Sequence, residues 1–252
     1  MPLILVTNDD GYRSDGIRAL ADALRSLGDV TIVAPVLEAS AIGHALTLRR
    51  PLRLEAIDAG TYAVDGTPTD CVNIAVTQVF RRLPDFVVSG INKGYNLGDD
   101  VTYSGTVAGA LEGALLGAPG LAVSLRATRG DYDFTYAARA AAALVGQVLR
   151  RPLPPRTFLN VNVPKGVPRG YRVTVQAKRN HVTSVAERHD PKGRPYYWIE
   201  EGQNEWEPHD RSDYQAVRDG YVSVTPLHPD LTAHHALAAV EEMSLEDLAE
   251  VR

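Results

Sequence analysis

The N-terminal stretch Leu3-Ile4-Leu5-Val6-Thr7-Asn8-Asp9-Asp10-Gly11 decides the fold and indicates where the chemistry lies. Its first five residues are aliphatic or β-branched, a run typical of a buried strand in a parallel sheet. Two adjacent carboxylates are not expected inside a core, so they follow the carboxyl end of that strand, where ligands of open α/β sheets bind. Asp9 and Asp10 are therefore candidate oxygen ligands for Mg²⁺ or Mn²⁺. The alternative is a solvated turn in which one aspartate caps a helix.

The segment after Gly11 predicts a β-α-β unit. Apolar residues recur with helical spacing from Ile17 to Leu24, and Asp15 is the expected N-cap. A second strand is expected over Val30 to Val33, which gives a crossover of Rossmann type. Further along the chain, short strands are expected over Leu46 to Leu48, Leu52 to Ile57, Thr61 to Val64 and Gly120 to Leu125, and an antiparallel strand over Tyr171 to Gln176. No Gly-x-Gly-x-x-Gly follows the first strand, which argues against a dinucleotide site. We predict an α/β, Rossmann-like three-layer fold with a mostly parallel sheet.

The composition bounds the function. The chain has 252 residues, 44% of them hydrophobic, and a net charge of −5, so no global basic surface for nucleic acid is present. The single cysteine, Cys71, lies in a helical apolar pattern and is expected to be a buried packing residue in a reducing compartment. Because no apolar run reaches ~18 residues and no signal peptide is recognisable, we expect a cytoplasmic protein without a membrane span.

Two further polar loops are expected at the same edge of the sheet as the aspartate pair. One follows the second strand and contains Glu38, Ser40, Gly43 and His44. The other follows a buried strand over Asp85 to Ile91 and is rich in Asn and Gly; it includes Asn92, Asn96 and a second pair, Asp99-Asp100. The carboxyl ends of parallel strands share one edge, so these loops and the first Asp pair should meet.

A helix opening at Ser104 is the candidate phosphate site. Glycines recur at every fourth position from Gly105 to Gly117, which helix propensity disfavours unless this face packs very closely on the sheet. The first turn offers backbone N–H groups with no partner inside the helix, together with the hydroxyls of Ser104 and Thr106. We expect an anion to bind at Ser104, Gly105 and Thr106; the alternative is simple helix capping.

The second part of the chain begins after a proline-rich stretch at residues 151–155, the best candidate boundary. We therefore expect a core over residues 1–150, and C-terminal strands, an extended arm and a terminal helix over residues 151–252. Residues 178–213 are polar, lack a helical period and carry both tryptophans, Trp198 and Trp206. They are expected to form a β-hairpin arm that contacts another subunit.

An ordered set of motifs resembles the SurE family of metal-dependent nucleotidases, and it spans nearly the whole chain. The motifs are Asn8-Asp9-Asp10-Gly11, Gly66-Thr67-Pro68-Thr69-Asp70-Cys71, Ser89-Gly90-Ile91-Asn92, Asn96-Leu97-Gly98-Asp99-Asp100, Tyr103-Ser104-Gly105-Thr106-Val107, Tyr221-Val222-Ser223-Val224-Thr225-Pro226-Leu227 and Asp230-Leu231-Thr232. Each motif alone is modest, and the order and spacing of the set make it specific.

The resemblance implies a metal-dependent phosphatase that hydrolyses nucleoside 5′- and 3′-monophosphates, with polyphosphate as a further substrate. It implies a homodimer or homotetramer formed through the C-terminal arm. Family metal ligands fall on Asp9, Asp10, Ser40 and Asn92, although Ala41-Ile42-Gly43-His44 replaces the small residues that usually follow the serine. We assign catalytic roles to Asp9, Asp10 and Asn96, and phosphate binding to Asn96, Ser104, Gly105 and Thr106.

Two alternatives use a similar acidic pair. A phospho-receiver regulatory domain also binds Mg²⁺ there, but it needs a lone acceptor Asp at the end of a later strand, where this chain has Ser89-Gly90-Ile91-Asn92. A covalent-aspartyl phosphatase usually has Asp-x-Asp after its first strand, and that spacing is absent. The choice between water and an aspartate as nucleophile, the base preference, the physiological metal and the assembly size stay open.

Overall fold

The computed structural model describes residues 1–126, 132–181, 184–200 and 204–243. Within them, thirteen strands are numbered in chain order: β1 (Leu3–Thr7), β2 (Asp29–Pro35), β3 (Leu54–Asp58), β4 (Thr61–Val64), β5 (Phe86–Lys93), β6 (Gly120–Leu125), β7 (Phe158–Val163), β8 (Tyr171–Val173), β9 (Arg179–His181), β10 (Ser184–His189), β11 (Pro195–Glu200), β12 (Asn204–Trp206) and β13 (Val222–Leu227). The α-helices there are α1 (Asp15–Leu24), α2 (Pro68–Ile74), α3 (Gly105–Leu116), α4 (Thr135–Arg150), α5 (Asp213–Arg218) and α6 (Leu237–Glu241). A π-helical turn over Ala75–Phe80 extends α2, and 3₁₀ turns cover Gly98–Thr102 and His234–Ala236.

Nine of these strands form one sheet in the order β3-β4-β2-β1-β5-β6-β7-β13-β8. The strands from β4 to β7 in that order pair in parallel. At one edge β3 is antiparallel to β4, and near the other edge β13 is antiparallel to β7. The sheet is therefore mixed and mostly parallel, as predicted, and the carboxyl ends of β1, β2 and β5 lie side by side.

Helices cover both faces of the sheet, which explains why its central strands are buried on both sides. On one face, Ile4 and Val6 of β1 pack with Ile17 and Leu20 of α1, and α4 joins the same cluster. On the other face, Leu5 of β1 packs with buried residues of α2, among them Cys71. Successive side chains of β1 thus pack against the helices on opposite faces of the sheet. The predicted three-layer α/β fold is confirmed, and so is the packing role of Cys71.

The glycines of α3 let this helix lie directly on the sheet. A Cβ added at Gly109 would come within 2.8 Å of Thr7 Cγ2, and one at Gly113 within 2.7 Å of Val87 Cβ. Side chains at these positions would push the helix outward. The predicted close packing of this face is confirmed, and it holds the start of α3 against the end of β1.

Several local expectations were wrong. Ser14 rather than Asp15 caps α1, because its hydroxyl accepts the amide of Ile17 while also accepting a hydrogen bond of 2.8 Å from the Asn8 side chain. Residues 46–48, expected to be a strand, have no regular structure. An antiparallel strand was expected from Tyr171, but β8 pairs in parallel with β13, which itself runs against β7.

The C-terminal part contains the expected hairpin. β10 and β11 pair in antiparallel fashion, and β9 pairs with β12 at its base. β7, which follows the proline-rich stretch, pairs with β6 in the main sheet, so the sheet continues across the expected boundary at residue 150. In the part of the chain that the structure describes, no helix has the length and apolar character needed to span a membrane.

Candidate active site

A cavity of about 480 Å³ lies at the carboxyl edge of the sheet. It opens where the loops after β1, β2 and β5 meet the start of α3. Six of the predicted site residues line it together, namely Asp9, Asp10, Ser40, Asn92, Asn96 and Ser104. Gly105 and Thr106 lie behind this lining, against Asp9. The sequence argument that parallel strand ends would bring these loops together is confirmed as geometry.

Asp9 is nearly buried, with 7% of its surface exposed, and its carboxylate faces the start of α3. The hydroxyl of Thr106 donates to this carboxylate, and the backbone N–H of Thr106 lies close enough to favour its ionised form. Burial nevertheless raises the pKa of Asp9, with the hydrogen bonds from Thr106 opposing the rise. Asp9 is thus a carboxylate held at the start of α3, and it also lines the cavity.

Asp10 lies beside Asp9 and is less constrained. Burial and the charge of Asp9 raise the pKa of Asp10 to about 6, while Lys93 opposes the rise through its charge and its backbone N–H. Within the described residues, Oδ2 of Asp10 is buried and has no hydrogen-bond partner. A buried acceptor of this kind is costly unless a ligand satisfies it, which is the situation expected of a cation ligand.

Ser40 and Asn92 bring neutral oxygens to the same cavity. The hydroxyl of Ser40 donates to Glu38 Oε1 at 2.6 Å, and the next residue, Ala41, has a positive φ of 54°. The side-chain N–H of Asn92 donates to the carbonyl of Gly94 at 3.0 Å, so its amide oxygen is the atom left to act as a ligand. The loop after β2 therefore supplies an acid, Glu38, that the sequence analysis placed there without a role.

Asn96 is held by residues that sequence reasoning missed. Its backbone N–H donates to Asn162 Oδ1 at 2.9 Å, and its carbonyl accepts from the side chains of Asn160 and Asn162. Its own side-chain N–H donates to Ser124 Oγ at 2.7 Å. The signal was present in Asn160-Val161-Asn162, since two amides on one face of a buried strand need partners.

The start of α3 differs from the prediction in one respect. Ser104 caps the helix, its hydroxyl accepting the amide of Val107 at 3.1 Å, and it also lines the cavity. The hydroxyl of Thr106, which was expected to face a phosphate, bonds to Asp9 instead. A Cβ on Gly105 would lie 2.9 Å from Asp9 Cβ, so this glycine makes room for the aspartate. Phosphate binding by Gly105 and Thr106 stays a prediction, with Asp9 between them and the cavity.

The electrostatics of the cavity favour a cation. Of its described lining residues, Asp9, Asp10, Glu38 and Asp100 are acidic, and Lys93 is basic. Lys93 Nζ lies 5.2 Å from the ring centre of Tyr132, which also lines the cavity. An anion such as phosphate would be repelled by four carboxylates unless a bound cation offset them.

The donor set fits a hard divalent cation. Among the described residues, no group of three or more Asp, Glu, His or Cys side chains is arranged to hold a metal. A cation in this cavity would therefore bind the aspartate pair and the neutral oxygens of Asn92 and Ser40. Oxygen-only ligands with few charges suit Mg²⁺ and Mn²⁺, which keep several waters, and do not suit Zn²⁺.

A Rossmann-like sheet with an acidic, oxygen-rich cavity at its carboxyl edge, beside the start of a helix, defines an α/β protein built to bind a small charged ligand. Residues 4–183 match the family model described as Survival protein SurE, and the chain belongs to the SurE family. The resemblance in the motifs is thereby confirmed.

Known relatives match along nearly the full length. The chain is 50% identical over 244 residues to the 5′-nucleotidase SurE of Syntrophotalea carbinolica, covering 96% of this chain and 98% of that protein. It is also 50% identical over 252 residues to the 5′-nucleotidase SurE 1 of Thermus thermophilus, covering 98% and 99%. The crystal structure of the SurE protein from Aquifex aeolicus has a TM-score of 0.86 and 44% identity, covering 96% of this chain and 99% of that one.

Proposed function

We propose that this protein is a 5′-nucleotidase that hydrolyses nucleoside 5′-monophosphates to nucleoside and phosphate. The observation that carries the proposal is the identity of about half of all residues, over nearly the full length, with proteins named 5′-nucleotidase SurE. The cavity supports it, because carboxylates, amides and a helix start converge there. We extend the proposal to nucleoside 3′-monophosphates and polyphosphate, and to the cytoplasm as the compartment, where the buried free thiol of Cys71 stays reduced.

Asp9, Asp10, Ser40 and Asn92 are the proposed ligands of a Mn²⁺ or Mg²⁺ ion. When bound, such an ion polarises the phosphoryl group and lowers the pKa of a water molecule. The Thr106 hydroxyl holds Asp9 through a hydrogen bond, and the charge of Lys93 favours the ionised form of Asp10. These contacts set the spacing of the two carboxylates before any ligand arrives, which lowers the reorganisation needed on binding.

The proposed phosphate contacts are Asn96, Ser104 and Lys93. All three line the cavity, and Ser104 adds the positive end of the α3 dipole. Lys93 supplies the positive charge that a phosphate dianion needs in an otherwise acidic cavity. Thr106 is assigned an indirect role through Asp9, in place of the direct contact expected from the sequence. Charge that develops on the phosphoryl oxygens would be stabilised by these fixed donors.

The nucleophile is proposed to be water, with the Asp10 carboxylate oxygen that does not bind the cation accepting its proton. The alternative is direct attack on phosphorus by an aspartate, which would leave an acyl phosphate on the protein. Acid quenching during turnover, followed by measurement of the protein mass, distinguishes the two routes. A mass gain of one phosphoryl group would contradict the water route.

The proposed function is tested with a panel of phosphate monoesters. We expect phosphate release from AMP, GMP, CMP and UMP in the presence of Mn²⁺ or Mg²⁺, with 3′-AMP and polyphosphate as further substrates. Excess chelator should stop the release, and an excess of the cation should restore it. A protein that binds Mn²⁺ and releases phosphate from none of these compounds would contradict the proposal.

A further inference from the structure

The loop that carries Asn96 is packed against the base of the arm. We call residues 94–104 the Asn96 loop, and residues 175–178 with 206–214 the arm root. Gly98, two positions after Asn96, has a positive φ of 52°, and a Cβ there would collide with the carbonyl oxygen of Ala177 and approach Trp206 Cζ3 to 3.0 Å. The backbone of the loop therefore lies directly on the arm root, with no room for a side chain between them.

One buried carboxylate, that of Asp213, joins the Asn96 loop to the arm root. Asp213, with 0% of its surface exposed, begins α5. Its Oδ2 accepts the amide of Gly98 at 2.9 Å, and its Oδ1 accepts the amides of Ala177 at 2.9 Å and Tyr214 at 2.7 Å. Burial raises the pKa of Asp213, and the three amide donors oppose that rise. A carboxylate this deeply buried is stable only with such donors, so its contacts are specific.

Further contacts connect Gly98 to the segments that enter and leave the arm. The side chain of Gln176 donates to the carbonyl of Gly98 at 3.1 Å. The ring of Trp206 stacks on that of Tyr214, with centroids 4.5 Å apart and planes at 10°. The segments entering and leaving the arm are joined by hydrogen bonds from Val175 to Arg211 and from Asp213 to Val175. A displacement of the arm would therefore act on Gly98.

We propose that Asp213 is a positioning residue for catalysis, which holds the Asn96 loop in its active form and makes that form depend on the arm. The loop is held on two sides: β6 and β7 hold Asn96 through Ser124, Asn160 and Asn162, and Asp213 holds Gly98. Without the hydrogen bond from Gly98 to Asp213, Asn96 and Ser104 would move relative to Asp9 and Asp10. This inference rests on the proposed function.

The test compares Asp213→Asn with Asp219→Asn. Asp219 follows the other end of α5 and bonds to Arg172 at 2.7 Å, outside the Asn96 loop and the cavity. In Asp213→Asn, the new side-chain amide would present a donor where the structure needs an acceptor. We expect kcat for AMP with saturating Mn²⁺ to fall about tenfold or more in Asp213→Asn, with a smaller change in KM, since small misplacements of catalytic groups are costly. Asp219→Asn should keep kcat within about twofold and lose less Tm, because its ion pair with Arg172 is partly exposed.

Hydrogen–deuterium exchange supplies a readout independent of turnover. The amides of residues 94–104 should exchange faster in Asp213→Asn and at the wild-type rate in Asp219→Asn. Unchanged exchange in Asp213→Asn would overturn the inference, whether or not the wild type hydrolyses nucleotides. A wild type that hydrolyses no nucleotide would contradict only the proposed function. Faster exchange with wild-type kcat would overturn it too, as would equal losses of kcat in both variants.

A second pair of variants serves if Asp213→Asn does not fold. Gln176 is exposed, and Gln176→Ala removes only the bond to the carbonyl of Gly98. We expect kcat to fall about threefold, with faster exchange in the Asn96 loop, in line with the loss of one hydrogen bond. Lys178→Ala, on the same segment, is the control and should match the wild type. Wild-type kcat and exchange in Gln176→Ala would overturn the inference.

Discussion

At the scale of single residues, the central feature is a pair of neighbouring carboxylates that the folded chain keeps close in spite of their mutual repulsion. Both pKa values are raised, mainly by burial. The Thr106 hydroxyl donates to Asp9 and the charge of Lys93 favours ionised Asp10, but the structure leaves one Asp10 oxygen without a hydrogen-bond partner among the described residues. The two close carboxylates therefore destabilise the metal-free protein, and a bound cation would remove this destabilisation.

Asp10→Asn should stabilise the metal-free protein while impairing the enzyme. The pKa of Asp10 is raised to about 6, above the ordinary value near 4, so the ionised side chain destabilises the fold above pH ~6 and has no such effect below pH ~4. With chelator present, the free energy of unfolding should rise by about 1–2 kcal/mol at pH 8. Urea unfolding at pH 8 and at pH 4 measures this, and a gain of equal size at both values would contradict the account.

Thr106→Val should weaken the binding of Mn²⁺ and lower activity. The change keeps the shape but removes the hydroxyl that donates to Asp9, at a cost of about 1–3 kcal/mol for a buried acceptor left short of one donor. Thr106→Ser keeps the hydroxyl and should stay close to the wild type. Calorimetric titration with Mn²⁺ checks the affinity, and equal affinities in the valine and serine variants would count against the role of Thr106.

The site residues that could be predicted from the sequence are those whose role is indicated by their immediate neighbours in the chain. An Asp pair at the end of an apolar run, and hydroxyls at the start of a helix, are visible in a few adjacent letters. The partner of Thr106 was not, because Asp9 lies 97 positions away and spacing carries no such information. For the same reason the holders of Asn96, and the place of Lys93 beside Tyr132, became known only from the fold.

At the scale of elements, α3 is the part that fixes the site. Its glycines bring the helix onto β1 and β5, and its first turn wraps the Asp9 carboxylate. Periodicity predicted β1, β4, β6 and α3 well, because each has a clear apolar or small-residue pattern. It mispredicted residues 46–48 and the pairing of β8, since edge strands and excursions depend on partners distant in sequence.

Gly105→Ala should impair the site through packing alone. Its Cβ would lie 2.9 Å from Asp9 Cβ and 3.1 Å from Asp9 Oδ2, so we expect a loss of about 1–3 kcal/mol in stability and a large loss of activity. Gly113→Ala is the matched control, because its Cβ would meet Val87, away from the cavity. Thermal unfolding and phosphate release together decide this. Similar kcat losses in both variants at equal Tm would contradict the special place of Gly105.

At the scale of the whole molecule, the arm exposes apolar side chains that a single chain leaves uncovered. The hairpin of β10 and β11 exposes five large apolar side chains, including Trp198 at 58% and Ile199 at 83%. Exposed apolar surface of this kind usually marks an interface. We therefore keep the prediction that the arm joins subunits into a dimer or tetramer. The separation of residues 151–252 from the core likewise stays a prediction.

The double substitution Trp198→Ser with Ile199→Ser should lower the mass measured by light scattering. It removes apolar surface from β11 without touching the arm root, so the subunit should stay folded by circular dichroism. Val167→Ser, which removes a side chain with 74% exposure outside the arm, should leave the mass unchanged. Trp198 and Ile199 are successive residues of β11 and point to opposite faces of the hairpin, so a double variant with the wild-type mass would show that neither face of β11 forms the interface.

The measurement that tests the account most directly is phosphate release from AMP by the wild type and by Asp9→Asn, each with chelator and then with saturating Mn²⁺. The account predicts release by the wild type only with the metal. Asp9→Asn should remain folded, keeping its bonds to Thr106 through the amide oxygen, and lose at least about 100-fold in kcat, as expected when a charged ligand at the reacting group is removed. Metal-independent release by the wild type, or near-normal turnover by Asp9→Asn, would contradict the account.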